Sequence, residues 1–194
     1  GIAQGAAMMT DTTVSRRIIG AAWPRHFNRP IALAMDENIK KVGLPTWSED
    51  DQRFAKALQT LMGADEPTGL ATNLSGIGEP LPSPVSGGSD DIGDISWNVP
   101  TVTLRYPANV GRLQGHHWSS AMAMATPIAH KGAVAGAKVV ATTMLDLIQN
   151  ESLVDSALDY FEDVQTAEVQ YVPFIGPDDD PAIEKNAEIM ALFK

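Results

Sequence analysis

Cysteine is absent from the 194-residue sequence, and this restricts both cross-linking and metal binding. Neither a disulfide framework nor a thiolate metal site is possible, so any transition-metal site must use histidine, aspartate and glutamate. A chain without cysteine suits a reducing cytoplasm, which is where we expect this protein.

Long apolar runs are absent as well. No stretch approaches the roughly 20 apolar residues that cross a bilayer, and the start, Gly1-Ile2-Ala3-Gln4, lacks the basic region of a signal peptide. We therefore expect a soluble protein without a membrane partner.

Positive charge is scarce: 14 lysines and arginines stand against 24 aspartates and glutamates, which gives a net charge of -10 at pH 7. The basic residues are scattered, whereas nucleic-acid-binding proteins concentrate them on one face. We expect no nucleic-acid partner.

Three catalytic signatures are missing. The sequence contains neither Gly-x-Ser-x-Gly nor His-Glu-x-x-His, and no lysine follows Gly87-Gly88-Ser89 at Walker spacing. These absences exclude the simple serine-hydrolase, zincin and P-loop interpretations.

The residues that are present, 44% of them hydrophobic, suit one globular domain or slightly more. β-Branched and apolar patterns predict strands over residues 12–22 and 95–106. Apolar residues at helical spacing, with capping residues, predict five helices. The first covers residues 29–42, between Asn28 and Gly43, and the second lies between a Ser48/Asp51 capping box and Gly63. The third covers residues 131–149, the fourth is capped by Ser152 and reaches about Val164, and the fifth covers residues 181–193. Strands separated by paired helices predict an α/β layered fold.

Two stretches do not fit an ordinary single domain. Residues 1–9 are small and apolar with no N-cap residue before them, which is typical of a helix whose first turns are missing. We therefore expect a fragment of a longer protein. Residues 64–88 are rich in proline, glycine and serine and too long for an ordinary connection, so they form either a functional or a mobile loop.

Three of the four histidines fall between positions 116 and 130. His130 precedes a predicted helix, where one ring nitrogen could bind a metal while a carboxylate holds the other. The simpler interpretation, a helix-start histidine bonded to backbone, carries more weight from the residues alone. His116 and His117 are adjacent and point to different sides, so at most one of them is expected to be functional. We interpret His26 as structural.

An acidic loop lies upstream of these histidines. Asp90, Asp91 and Asp94 could bind a ligand, orient another side chain or simply be solvated, and acidic loop residues are most often solvated. The preceding Gly87-Gly88 pair would let the backbone approach a ligand closely.

Taken together, these motifs resemble the M20 family of metallopeptidases and amidohydrolases, and within it the aminobenzoyl-glutamate utilization protein B type. The resemblance runs along nearly all of the chain. Its motifs are Gly-Ile-Ala-Gln-Gly-Ala-Ala-Met-Met-Thr at the start, Ser89-Asp90-Asp91-Ile92-Gly93-Asp94-Ile95-Ser96-Trp97-Asn98-Val99-Pro100-Thr101, Gly115-His116-His117-Trp118, and Ile128-Ala129-His130-Lys131-Gly132.

The resemblance implies an architecture. Residues 1–23 would be the end of an inserted α+β lid domain that mediates dimerisation. Residues 24–194 would be the C-terminal half of a zinc-peptidase-like α/β/α catalytic domain. The missing N-terminal half would carry the remaining metal ligands and the glutamate that acts as general base, and the intact protein would be a homodimer.

It also implies roles for individual residues. His130 would be a ligand of a divalent zinc or manganese ion, His116 would donate a hydrogen bond to the oxyanion, and Asp91 and His117 would bind substrate. Two departures put the substrate in question: His117 stands where serine is usual, and Arg112-Leu113-Gln114 replaces the usual Gly-Thr-Pro.

The implied activity is metal-dependent hydrolysis of the amide of an N-acyl amino acid resembling aminobenzoyl-glutamate. This chain alone should be inactive, because catalytic metal sites use about three protein ligands. Two alternatives remain open at this point: a non-catalytic α/β structural or interaction fragment, and an enzyme that uses Asp90 and Asp91 as an acid/base pair.

Overall fold

The computed structural model describes residues 1–78 and 90–193. Within these ranges the chain forms eight α-helices, with a π-helical turn Phe161–Gln165 after α7 and a 3-10 turn Ile183–Asn186 before α8. The helices are α1 Ile2–Met9, α2 Arg29–Val42, α3 Glu49–Leu61, α4 Ile92–Ser96, α5 Trp118–Met124, α6 Pro127–Gln149, α7 Glu151–Tyr160 and α8 Ala187–Ala191. In these ranges, no helix combines the length and apolar character that spanning a bilayer requires.

Local capping defines α2 and α3, and both predicted helices are confirmed. The Asn28 side chain accepts a hydrogen bond from the Ile31 N–H, and α2 ends at Gly43, whose φ of 70° favours glycine. At α3 the predicted capping box is present, since Ser48 and Asp51 each accept from the other's backbone N–H.

Helix α6 is the longest and packs against α2, α5 and α7. Two glycines on its buried side let an irregular segment approach the helix backbone: a Cβ at Gly132 would lie 2.0 Å from the Pro107 carbonyl oxygen, and one at Gly136 would lie 3.3 Å from Tyr106 Cβ. The buried positions of α6 are Ile128, Gly132, Ala135, Gly136, Val139 and Thr143.

The main apolar cluster lies where α3 meets α5 and the start of α6. It contains Ala55, Leu58, Leu70, Val110, Ala123 and Ile128, with Trp47, Phe54, Met62 and Leu113 packed around it. This cluster fixes the two irregular stretches that contain Leu70 and Val110 against the helices.

The predicted α/β fold is wrong for the part of the chain that the structure describes, which is helical and contains no strand or sheet. Residues 12–22 are irregular, and residues 95–106 begin in α4 and continue as an irregular segment. A strand must exchange backbone hydrogen bonds with a neighbouring strand. The Asn28 N–H, just before α2, donates a hydrogen bond to the Thr101 carbonyl in the second of these stretches. In the described ranges this bond is not continued by the further backbone pairs that a β-ladder requires.

Other boundaries also differ from expectation. Helix α6 begins at Pro127 rather than Lys131, and α7 is capped by Asn150 rather than Ser152. The division into domains at residue 23 stays a prediction, and the Gly87-Gly88-Ser89 segment lies outside the described residues.

A buried amide network joins α2 to the end of α7. Asn28 is fully buried, and its Nδ2 donates to the Ala157 carbonyl at 2.8 Å and to Gln165 Oε1 at 2.9 Å. Gln165, 3% exposed, donates in turn to the His26 carbonyl at 2.8 Å. The side-chain amides of Asn28 and Gln165 therefore hydrogen-bond to each other and to the backbone, as a low-dielectric interior requires.

A second polar link joins α6 to α3. Lys131 Nζ lies 2.5 Å from Oδ2 of Asp51, the same carboxylate that closes the capping box. The hydrogen bond from Lys131 lowers the pKa of the buried Asp51 carboxyl, the bonds from Ser48 lower it further, and desolvation opposes them. This ion pair fixes the first turn of α6, which also carries His130.

Replacing Asn28 with alanine should lower the free energy of unfolding by about 2–4 kcal/mol, because α2 loses its cap and two buried acceptors lose their donor. Denaturant-induced unfolding measures the loss. Asn150→Ala is the matched control, since Asn150 caps α7 at an exposed position, and should cost about 1 kcal/mol. Equal losses at the two positions would show that Asn28 acts only as a cap.

Replacing Asp51 with asparagine keeps an oxygen for the Ser48 N–H but removes the charge that pairs with Lys131. We expect a loss of about 1–2 kcal/mol near neutral pH, reduced by the partial exposure of Lys131. Because the folded-state pKa of Asp51 is lowered, its contribution is complete above the unfolded-state pKa and disappears as the pH falls through the folded-state value.

The stability difference between parent and Asp51→Asn should therefore shrink below about pH 4 in unfolding curves recorded across the acid range. Asp50→Asn, in the exposed pair with Arg53, is the control and should change stability by less than about 1 kcal/mol. A difference that stays constant through the acid range would contradict the ion-pair assignment.

Candidate functional site

His130 lies in the first turn of α6 and is exposed. Its ring lines an open cavity of about 470 Å³ together with residues 42–46, Lys131 and Lys138. Among the described residues no group hydrogen-bonds to the imidazole, so the backbone-bonded interpretation does not describe this histidine. Both ring nitrogens are therefore available to a ligand outside the described chain.

His117 caps α5. Its Nδ1 accepts a hydrogen bond from the Ser119 backbone N–H at 3.3 Å and lies 2.9 Å from the buried Ser119 hydroxyl. Because Nδ1 is an acceptor, the neutral ring carries its proton on Nε2. Serine is among the preferred N-cap residues, so a serine at position 117 could make the same capping hydrogen bond.

His116 directly precedes that cap and is exposed. Its φ of 54° lies in the left-handed region, which non-glycine residues seldom adopt. Arg112, at the start of the same loop, has a φ of 64°. The loop before α5 therefore holds two strained non-glycine residues four positions apart, a pattern that often accompanies functional sites.

The acidic loop is largely used for structure. Asp90 pairs with Arg25, a half-buried contact, and its Oδ1 accepts from the Ile92 N–H at 3.1 Å. Asp94 accepts from the Trp23 N–H at 3.2 Å and from the Tyr171 hydroxyl at 3.0 Å. An acid/base pair of Asp90 and Asp91 finds no support in these contacts.

Asp91 differs from its two neighbours. It is exposed, and no group in the described ranges pairs with its carboxylate. Of the three aspartates in the loop, Asp91 is therefore the one whose carboxylate is available to a substrate.

An aromatic cluster forms beside the acidic loop. Trp23 stacks on Phe174 with ring centroids 5.1 Å apart and contacts Trp97 and Tyr171 at tilted angles. His26 packs on Trp97, burial lowers the pKa of its imidazole, and its Nδ1 has no hydrogen-bond partner in the described ranges. These contacts are consistent with the structural role predicted for His26.

The predicted site residues do not assemble into a metal centre within this chain. In residues 1–78 and 90–193 no three histidine, aspartate or glutamate side chains are placed to hold one ion. His130 faces the cavity beside residues 42–46, Asp91 belongs to the loop that pairs with Arg25, and His117 caps α5, which packs on α6.

Sequence reasoning missed a second cavity, of about 780 Å³, between residues 68–73 and 106–112. Fully buried Gln59 fixes its floor, accepting from the Gly69 N–H at 2.8 Å and donating to the Gly111 carbonyl at 3.0 Å. One signal was present: Gln59 is a polar residue next to Leu58 on the apolar side of α3, where a polar side chain needs a specific partner.

Replacing His117 with alanine should lower the free energy of unfolding by about 1 kcal/mol, because α5 loses its cap. His117→Ser should keep most of the parental stability, because serine can cap the helix. Thermal or denaturant unfolding of the three proteins measures the effect. If serine destabilised as much as alanine, the imidazole would be making contacts beyond the cap.

Comparison with known proteins gives one informative relative. No family model matches the chain, and no solved structure matches it. The chain is similar to a subunit of the p-aminobenzoyl-glutamate hydrolase of Escherichia coli (strain K12), at 27% identity over 194 aligned positions. The match covers 89% of this chain but 40% of that protein, so the chain spans less than half the length of this curated relative. This similarity supports the aminobenzoyl-glutamate hydrolase type suggested by the sequence motifs.

Proposed function

We propose that this chain is part of a metal-dependent amidohydrolase of the M20 type that cleaves the amide of an N-acyl amino acid such as aminobenzoyl-glutamate. The observation that carries the proposal is the similarity to the p-aminobenzoyl-glutamate hydrolase subunit, which extends over 89% of the chain. The exposed His130 ring, to which no group in residues 1–78 and 90–193 hydrogen-bonds, is the feature of the structure that fits this chemistry best.

The described residues do not by themselves fit a complete metal site. A catalytic ion needs about three protein ligands, and no such group exists in the described part of this chain. We therefore assign His130 the role of one ligand to a zinc or manganese ion, with the remaining ligands supplied from the portion of a longer protein that this chain does not cover.

Three other side chains act on the substrate in this proposal. His116, exposed on the strained loop, donates a hydrogen bond to the oxygen that becomes negative when the amide carbon is attacked. His117 offers its Nε2–H to the substrate, since the cap occupies Nδ1. The Asp91 carboxylate orients the substrate by accepting a hydrogen bond from it.

The surface of α6 supports the view that further polypeptide packs on this chain. Its outward side exposes more than half of Val134, Met144, Leu145 and Ile148, next to alanines at positions 137 and 141. Apolar surface of that extent on a long helix usually marks an interface. We assign it to the remaining length of a protein that resembles the relative, and we expect the intact protein to be a homodimer through its lid.

The same apolar face favours a second candidate function, a non-catalytic interaction fragment. The two candidates differ in one respect that is easily measured. An interaction fragment would bind its protein partner through α6 even if His130 and His116 were replaced. The amidohydrolase would lose turnover when either histidine was replaced.

In the native protein that carries this chain, His130→Ala should reduce both bound metal and turnover of p-aminobenzoyl-glutamate by at least about 100-fold, because one ligand of the ion is lost. His116→Ala should reduce kcat by about 100- to 1,000-fold while metal content stays unchanged. Elemental analysis and product release measure the two effects separately.

Gln149→Ala, at the exposed end of α6, is the control and should retain both metal and activity. Parental turnover in His130→Ala would remove His130 from the metal site. Loss of metal in His116→Ala would show that His116 is a ligand rather than a hydrogen-bond donor.

A further inference from the structure

The cavity between residues 68–73 and 106–112 is a built site rather than a gap between loose loops. Two glutamines about two helical turns apart on α3 hold its first wall. Gln52 pairs with both the N–H and the C=O of Leu70, at 2.9 and 3.1 Å, and Gln59 does the same with Gly69 at 2.8 and 3.3 Å. Such amide pairing takes the place of a neighbouring strand. The backbone of this wall is therefore held in place by the protein itself, without a ligand.

The opposite wall is fixed in the same way. Asn109 Nδ2 donates to the Ser120 carbonyl at 3.2 Å, and its Oδ1 accepts from the Val110 N–H at 2.7 Å. Gln59 reaches this wall as well, through the Gly111 carbonyl. A cavity of about 780 Å³ with fixed walls lies within the size range of small-molecule sites.

Arg112 lines the cavity in a conformation that arginine does not favour. Its φ of 64° lies in the left-handed region, where a side chain is strained and glycine would not be. Its guanidinium donates to the Glu66 carbonyl at 3.3 Å, a long hydrogen bond that uses one of five N–H groups. The chain thus places a strained arginine at the cavity wall.

The lining defines the chemistry of a ligand. Leu70, Pro107, Val110 and Met124 give an apolar surface that suits an aromatic ring, while Arg112 supplies the positive charge. A planar guanidinium matches a carboxylate with two parallel hydrogen bonds. In a chain with a net charge of -10, an arginine in a concave apolar site is a specific feature rather than part of a general basic surface.

We propose that this cavity binds the carboxylate-bearing part of an N-aroyl amino acid, with Arg112 pairing with the carboxylate and determining specificity for acidic substrates. The proposal rests on the proposed function for its substrate class and adds to it a site and a recognising residue. It concerns binding by this chain and requires no metal.

The test measures binding of two probes to the 194-residue chain by titration calorimetry: p-aminobenzoyl-glutamate, and its diamide in which both carboxylates are replaced by carboxamides. Arg112→Met should weaken binding of the acid at least about 10-fold, because a charge-assisted bidentate pair is lost, and should leave the diamide unchanged. Methionine keeps an unbranched side chain and the same backbone strain.

Arg105→Met is the matched control, since Arg105 is exposed on the segment that leads to the cavity but does not line it, and both probes should bind it as they bind the parent. Arg112→Lys, which keeps the charge but not the paired geometry, should fall between parent and Arg112→Met. This variant keeps the test decisive if Arg112→Met fails to fold.

Equal weakening of acid and diamide by Arg112→Met would overturn the proposal, because Arg112 would then only shape the cavity. Failure of the parent chain to bind the acid at millimolar concentration would overturn it as well. These results are distinguishable from a failure of the proposed function, which is judged by turnover and metal content of the native protein.

Discussion

Buried side-chain amides connect the elements of this chain: fully buried Asn28 joins α2 to the end of α7, and fully buried Gln59 holds the irregular segments around Gly69 and Gly111 against α3. Long stretches of the described chain are irregular, and irregular backbone must find hydrogen-bond partners wherever it is buried. Gln165, which the Asn28 amide contacts, donates to the His26 carbonyl, and Gln59 provides partners for Gly69 and Gly111 beside α3. The position of the larger cavity follows directly from the Gln59 contacts.

The proposed function depends on this scaffold in two places. The Lys131–Asp51 pair fixes the first turn of α6 and so leaves the His130 ring facing an open cavity, with no competing partner among the described residues. Further along α3, the glutamine contacts fix the walls of a cavity that Arg112 lines. Local polar contacts thus fix the backbone that carries the His130 imidazole and the Arg112 guanidinium, and specific substrate recognition requires such fixed backbone.

Sequence patterns predicted the parts of the fold that are governed by neighbouring residues. Helices α2 and α3 were predicted with both ends, because their caps are local. The predicted start of α6 was wrong because proline is compatible with the first position of a helix as well as with a loop, and the helix begins at Pro127. The predicted cap of α7 was wrong because Asn150, the residue that ends α6, also caps α7 in place of Ser152. The strands were wrong because pairing is a non-local property that β-branched composition does not determine. The position of Gln59 beside Leu58 was a signal of burial, but its partners Gly69 and Gly111 could not be predicted from sequence. The left-handed backbone of Arg112 could not be predicted either, since it depends on distant contacts.

In the function proposed above, this chain belongs to an enzyme that hydrolyses the amide of an aminobenzoyl-glutamate-like substrate. The most direct test is to incubate the native protein with p-aminobenzoyl-glutamate and quantify both products by chromatography. We expect p-aminobenzoate and glutamate in equal amounts, released at a rate proportional to enzyme concentration. Intact substrate after prolonged incubation with metal-replete native protein would contradict it.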